Sequence, residues 1–142
     1  MDEKNMKIAF KESEKAYKID EIPVGAVIVR NGKVISKGYN MKEKYNDPTM
    51  HAEIIAIRKA CKKIKDWRLN GCTLYVTMEP CEMCLNVILE SRIKDIVCGI
   101  KNKKNNKIDD LIRKNQINIV YGVYEKKISD ELNAFFQKIR EK

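Results

Sequence analysis

The chain has 142 residues, a length that suits one folded domain and is too short for two independent cores. Hydrophobic residues make up 44% of the sequence, enough to fill an interior, and no apolar run approaches the ~18 residues of a membrane-spanning helix. We therefore expect neither a disordered chain nor an integral membrane protein. The formal net charge of +9 favours a polyanionic partner, although a lysine-rich solvated surface explains it equally well.

The cysteines and the N-terminus both indicate a reducing compartment. Five cysteines are an odd number, and the first residues carry mixed charge instead of the basic and then apolar pattern of a secretion signal. We therefore expect a cytoplasmic protein whose cysteines are reduced thiols or metal ligands. The sequence contains one histidine, His51, so any imidazole chemistry must use it.

Hydrophobic periodicity and turn signals predict helices and strands that alternate along the chain. The clearest signal is a hairpin, because Asn31-Gly32 supplies the positive φ angles of a two-residue turn between two apolar runs. The predicted helices cover residues 3–19, a stretch that begins at the capping residues 47–49, residues 80–91, a weaker stretch at 108–114, and a last helix capped by Ser129. The predicted strands cover residues 24–30, 33–39, 72–78, 93–100 and 117–124.

This order of elements predicts an α/β fold, a three-layer α/β/α sandwich that residues 1–142 form as a single domain. In it, His51 and Glu53 lie in the first turn of the second helix, and Cys81 and Cys84 lie in the first turn of the third. Two cysteines three residues apart share a helix face, and the helix N-terminus favours the thiolates that zinc requires.

The pattern His-x-Glu followed by Pro-Cys-x-x-Cys indicates a catalytic zinc site. His51, Cys81 and Cys84 supply three ligands, and a three-ligand site leaves the fourth tetrahedral position open to water. Glu53, two residues after the histidine ligand, is then free to act as general base and general acid. This arrangement is a known signature of zinc nucleobase deaminases.

Two interpretations other than a catalytic zinc stay open at this point. Cys81 and Cys84 alone could form a redox pair, and a structural zinc could recruit a fourth cysteine. The three cysteines available for that role lie on the inward stripe of a predicted helix or in and beside predicted strands, so we expect them to pack as small buried side chains: Cys61, Cys72 and Cys98.

With these residues in place, the sequence resembles the cytidine and deoxycytidylate deaminase superfamily, and within it the bacterial tRNA-specific adenosine deaminase branch. The metal motif is shared by the whole superfamily. The run Leu-Tyr-Val-Thr-Met-Glu-Pro-Cys at 74–81 and the Phe135-Phe136 pair are more typical of the tRNA branch. The other matching segments are residues 23–27, 38–40, 47–53, 67–69 and 91–93.

The resemblance implies a cytidine deaminase-like fold with a mixed five-stranded sheet, a homodimer, and one zinc per subunit. Glu53 would take a proton from the water that attacks adenine C6 and return protons to N1 and to the departing ammonia. Asn40 matches the position that hydrogen-bonds the base, although a turn residue after a strand would look the same. The Ala52 backbone amide and Val24 complete the implied base-binding set.

The resemblance also implies contacts with RNA outside the base pocket. Phe135 and Phe136 would hold bases that flank the target, but their helical spacing predicts that at least one packs into the core. Asn102 occupies a substrate-facing position where the tRNA branch commonly has Asp. The basic stretch 101–107, with Lys138, Arg140 and Lys142, would either contact stem phosphates or stay solvated.

We therefore predict zinc-dependent hydrolytic deamination of adenosine to inosine at the wobble position of a tRNA anticodon stem-loop. One alternative is a deaminase of small nucleobases or nucleosides, of the guanine or cytidine type. The other is a nucleic-acid-binding module whose zinc is structural. These alternatives differ in whether Glu53 is needed and in whether RNA is the substrate.

Overall fold

The computed structural model describes residues 2–102 and 106–141. The helices are α1 (Asp2–Lys18), α2 (Lys42–Tyr45), α3 (Ala52–Ile64), α4 (Glu82–Glu90), α5 (Asn106–Lys114) and α6 (Glu125–Arg140). The strands are β1 (Gly25–Arg30), β2 (Lys33–Tyr39), β3 (Cys72–Met78), β4 (Asp95–Ile100) and β5 (Asn118–Val120).

The five strands form one mixed sheet in the order β2-β1-β3-β4-β5. The pairs β1–β2 and β1–β3 are antiparallel, whereas β3–β4 and β4–β5 are parallel. Parallel neighbours need a crossover connection, and α4 and α5 provide it. The mixed five-stranded sheet that the resemblance implied is confirmed.

Side chains that alternate along the strands fill two cores, one on each face of the sheet. The larger core packs α3, α4 and α5 against residues such as Ile28 and Leu74. The smaller core packs α1 and α6 against residues such as Val27 and Tyr75. Because successive strand residues point to opposite faces, both faces are covered and the predicted three-layer α/β/α sandwich is confirmed.

A glycine on β2 lets helix α3 approach the sheet closely. A Cβ atom at Gly38 would lie 2.6 Å from the Ala52 carbonyl oxygen and 2.9 Å from the Ala56 backbone nitrogen, so any larger residue would displace the helix. The hydroxyl of Ser36, two residues earlier on the strand, donates to the Ala56 carbonyl at 2.7 Å. These contacts fix the start of α3, which carries His51 and Glu53.

The structure corrects several predicted boundaries. Helix α6 begins at Glu125, so Ser129 lies inside it and does not cap it. Helix α3 begins at Ala52 with His51 as its N-cap, while Asp47 accepts hydrogen bonds from the Thr49 amide and hydroxyl in the preceding loop. Strand β5 is shorter than predicted, and the loop before α3 contains the unpredicted α2. Within the described ranges, no helix has the length and apolar composition needed to cross a membrane.

Candidate functional site

Two helix N-termini bring the predicted metal ligands together. His51 immediately precedes α3, Cys81 immediately precedes α4, and Cys84 lies in the first turn of α4. The His51 Nδ1 atom is 3.4 Å from the Cys84 Sγ atom and 3.8 Å from the Cys81 Sγ atom. The three ligand atoms all lie within 4.8 Å of one another, and in the described part of the chain no other group of three His, Cys, Asp or Glu ligands has this spacing.

This donor set fits zinc. A tetrahedral zinc with usual Zn–N and Zn–S bond lengths places the nitrogen and sulfur ligands about 3.6 Å apart, which lies between the two distances seen here. One imidazole and two thiols also favour zinc over magnesium or calcium, which prefer oxygen ligands. The set could therefore hold a zinc ion with little rearrangement.

The two thiols of this site differ in acidity because they are hydrogen-bonded to each other. A hydrogen bond from Cys84 lowers the pKa of Cys81 to about 5, and the nearby His51 favours the thiolate further. The same hydrogen bond, together with burial, raises the pKa of Cys84 well above its usual range. Metal binding would replace the remaining proton with a cation, since both sulfurs bind zinc as thiolates.

Glu53 lies in the first turn of α3 and is almost completely enclosed, with 4% of its surface exposed. Burial raises the pKa of its carboxyl group to about 7, while a hydrogen bond with Cys84 acts in the opposite direction. A carboxyl group that titrates near neutral pH can both accept and return a proton during a reaction. Glu53 therefore lies beside the ligand trio with the properties of a general acid and base.

The remaining cysteines do not join the ligand trio. The Cys61 thiol donates to the Trp67 carbonyl at 3.7 Å, and Cys72 and Cys98 are buried in β3 and β4. Burial raises the pKa of all three thiols, which favours the neutral form. The site therefore keeps three protein ligands, and a structural zinc with a fourth cysteine finds no support in this geometry.

A pocket of about 260 Å³ opens beside His51, with Asn40 on one wall. The Asn40 side-chain amide donates to the Ile22 carbonyl at 3.0 Å, and its oxygen accepts from the Ala52 backbone amide at 2.8 Å. The Ala52 amide that we expected to face a base thus already has a partner. Val24 is buried and does not line this pocket; its carbonyl accepts a hydrogen bond from the Asn40 backbone amide at 3.2 Å.

The phenylalanine pair divides as its helical spacing predicted. Phe135 is 4% exposed, and its ring packs edge-on against Tyr17 with a centroid distance of 6.0 Å. Phe136 is 43% exposed at the rim of the same pocket, next to Ile139. The pocket is therefore bordered by an aromatic face that solvent and a ligand can reach.

The basic residues near the site have different surroundings. Lys138 pairs with Asp20 at 2.8 Å and lies 4.3 Å from the Tyr17 ring centroid, so it braces α6 against the end of α1. Lys101 pairs with Asp109 at 2.8 Å, and Asn102 is exposed after β4. Of the predicted basic stretch 101–107, residues 103–105 lie outside the described residues, as does the terminal Lys142, whereas Lys107 is exposed at the start of α5.

Sequence reasoning missed Glu21, a buried carboxylate that supports the pocket wall. It accepts hydrogen bonds from the Glu43 and Lys44 backbone amides, at 3.1 and 2.8 Å, and so holds α2 beside the pocket. No spacing or motif signals this contact, because the partners are more than twenty residues apart and are backbone atoms.

The fold and the ligand trio define a zinc-binding deaminase. Residues 1–100 match the family model described as the cytidine and deoxycytidylate deaminase zinc-binding region. The chain therefore belongs to the cytidine and deoxycytidylate deaminase family.

Relatives that are named tRNA-specific adenosine deaminase align over nearly the whole chain. The tRNA-specific adenosine deaminase of Haemophilus influenzae is 43% identical and covers 99% of this chain and 86% of the relative. The enzyme of that name from Bacillus subtilis is 39% identical and covers 99% of this chain and 92% of the relative.

Two solved structures share the fold at substantial identity. One comes from a study of A-to-I editing by tRNA:A34 deaminases at the wobble position; it has a TM-score of 0.84 and 34% identity and covers 90% of this chain and 98% of that one. The other, guanine deaminase from Bacillus subtilis, has a TM-score of 0.68 and 38% identity and covers 79% of this chain and 74% of that one.

Proposed function

We propose that this protein hydrolytically deaminates adenosine to inosine at the wobble position of a tRNA anticodon, with one zinc ion per subunit. The observation that carries the reaction class is the His51–Cys81–Cys84 trio with the enclosed Glu53 beside it. The substrate assignment is supported by similarity to tRNA-specific adenosine deaminases along almost the full chain.

In this proposal, each residue at the site has a defined task. His51, Cys81 and Cys84 would hold zinc, which when bound supplies the Lewis acidity that makes water nucleophilic near neutral pH. Glu53 accepts a proton from the water that attacks C6 of adenine and delivers it to N1. It then transfers the second water proton to the departing amine, so that adenosine and water become inosine and ammonia.

The base is oriented by the pocket wall next to His51. Asn40 hydrogen-bonds the base edge, and its own position is fixed by the bonds to Ile22 and Ala52. The Ala52 amide takes part through Asn40 or exchanges its bond for one to the base, and the Val24 carbonyl holds the Asn40 backbone amide in place. A pre-positioned amide reduces the ordering that substrate binding requires.

Contacts outside the pocket would select an unpaired RNA loop. Phe136 offers an exposed ring on which a base adjacent to the target stacks, while the buried Phe135 supports it from behind. Asn102 follows β4 at the same sheet edge as the loop that carries Cys81. The net charge of +9 attracts the polyanion but does not choose the base.

A small-molecule deaminase is the second candidate, because the guanine deaminase structure is 38% identical where it aligns and the pocket is small enough for a free base. The test is to compare an anticodon stem-loop RNA with its DNA counterpart, adenosine, cytidine and guanine under one set of conditions. We expect inosine in the RNA and little turnover of the free compounds. Faster turnover of a free base or nucleoside would transfer the assignment to the second candidate.

We also propose that two copies associate through the surface beside α3. This groove of about 1120 Å³ contains two large exposed aromatic residues, Trp67 at 50% and Tyr45 at 55%, with Met41, Met50 and Ile57. Exposed apolar patches of this kind are typical of protein interfaces, and a second copy is the occupant that the family resemblance implies.

Trp67→Glu should shift the protein from dimer to monomer in light scattering after gel filtration, because a buried charge at an apolar interface is costly. Val120→Glu is the matched control, since Val120 is equally exposed but lies on β5, away from the groove. A wild-type monomer, or an unchanged dimer in the Trp67 variant, contradicts this interface.

The described strands share one sheet, which supports treating residues 1–142 as one deaminase domain. We further propose a cytoplasmic location, which suits a tRNA substrate and thiols that must stay reduced to bind a metal.

A further inference from the structure

Glu79 is a buried carboxylate that the metal site and the proton transfer leave without a role. It lies two residues before Cys81 and is 3% exposed. One of its oxygens accepts a hydrogen bond from the Asn102 backbone amide at 3.2 Å, and the other accepts a hydrogen bond from the Tyr121 hydroxyl. A buried carboxylate needs such partners, so both contacts stabilise its position.

These three residues follow three neighbouring parallel strands. Glu79 comes directly after β3, Asn102 follows β4 by two residues, and Tyr121 comes directly after β5. The Glu79 backbone amide also donates to the Ile100 carbonyl at 2.9 Å. Ligands of open α/β sheets bind at the carboxyl ends of the strands. One side chain therefore links three strand ends at the edge where the ligand trio lies.

Tyr121 is suited to be a permanent donor in this link. Burial, helped by the hydrogen bond to Glu79, raises the pKa of Tyr121, so its hydroxyl keeps its proton. The Lys101 ammonium lies 5.0 Å from the centre of the Tyr121 ring and pairs with Asp109 at 2.8 Å. The segment after β4 is thus held through the Asn102 amide and again through the Lys101 side chain.

We propose that Glu79 is a positioning residue. Together with Tyr121, it holds the segment Ile100–Asn102 in the position in which this segment contacts the RNA next to the target adenosine. This inference rests on the proposed function for its substrate. Glu79 and Tyr121 affect RNA binding only through this segment, and neither binds the metal or takes part in the chemical step.

The test removes the Tyr121 hydroxyl with Tyr121→Phe and measures KM and kcat on the anticodon stem-loop, bound zinc, and hydrogen exchange of the Asn102 amide without substrate. Loss of a hydrogen bond to a buried charge should raise KM roughly tenfold and leave kcat within about twofold. Asn102 exchange should accelerate, and zinc content should not change. Glu79→Gln, which keeps the shape but removes the charge, should act in the same direction.

Tyr75→Phe is the matched control. The Tyr75 hydroxyl also donates to a carboxylate, Asp2 at 2.9 Å, but it belongs to the smaller core on the other face of the sheet. This variant should leave KM and Asn102 exchange at wild-type values. Equal changes in both tyrosine variants would show a general loss of stability and overturn the proposal.

The exchange measurement separates this inference from the proposed function. Unchanged Asn102 exchange in both Tyr121→Phe and Glu79→Gln overturns the positioning role, whatever the activity. Loss of zinc, or a fall in kcat at constant KM, also overturns it, because Glu79 would then support the metal site. Faster exchange in a protein whose wild type leaves the stem-loop unchanged supports the anchoring and contradicts the proposed function alone.

Discussion

Replacing Glu53 with Gln should lower deamination by roughly 10³-fold while the protein keeps its zinc. The amide has nearly the size of the carboxyl group and fits the same enclosed site, where 4% of the side chain is exposed. It cannot accept a proton from water at neutral pH, so both proton transfers assigned to Glu53 are lost. The measurement is inosine formation on the stem-loop, with bound zinc determined on the same sample.

The matched control for this variant is Glu82→Gln. Glu82 is a carboxylate in the first turn of α4, next to Cys81, but it is exposed to solvent. Its replacement should leave turnover close to that of the wild type. If Glu53→Gln formed inosine as fast as the wild type, Glu53 would not carry the protons. If neither protein formed inosine while both bound the stem-loop RNA and zinc, a binding module with a structural zinc would take the place of the enzyme.

The second large effect is expected from Cys84→Ser. Cys84 is buried, and its Sγ atom is 3.4 Å from the His51 Nδ1 atom, so the variant leaves one thiol and one imidazole in the ligand trio. A serine hydroxyl does not ionise near neutral pH and is a poor zinc ligand. Bound zinc should fall from one per chain towards zero after dialysis against a chelator, and activity should fall with it.

Cys61→Ser serves as the control, because Cys61 lies on α3 outside the trio and contacts the Trp67 carbonyl. This variant should keep one zinc per chain. Zinc loss in Cys61→Ser, or full zinc retention in Cys84→Ser, would show that the ligands have been assigned wrongly.

The sequence predicted those parts of the fold that depend on local pattern. The Asn31-Gly32 turn and the alternating strands around it define the hairpin, and β2 and β3 have the predicted bounds. The caps were harder to predict, because several residues compete for the same role. Ser129 is a good capping residue, yet α6 starts earlier, where Tyr124 adopts a positive φ angle of 64°. Packing of Ile128 into the smaller core favours the longer helix.

The clustering of the candidate metal ligands was predictable, because His51 and the pair Cys81 and Cys84 lie at helix starts. The long-range contacts were not. The bond from the Ala52 amide to Asn40 and the link from Glu79 to Tyr121 join residues that are 12 and 42 positions apart. Both depend on how the strand ends meet in three dimensions, which no local motif encodes.

The most direct test of the account is to map inosine in an anticodon stem-loop RNA that carries one adenosine at the wobble position. The same loop with that adenosine moved by one position is the comparison, and Glu53→Gln is the enzyme control. We predict inosine at the wobble position, at least ~10²-fold less in the shifted loop, and at most a trace with the variant. Equal conversion of the two loops, or conversion of free nucleosides alone, would contradict the account.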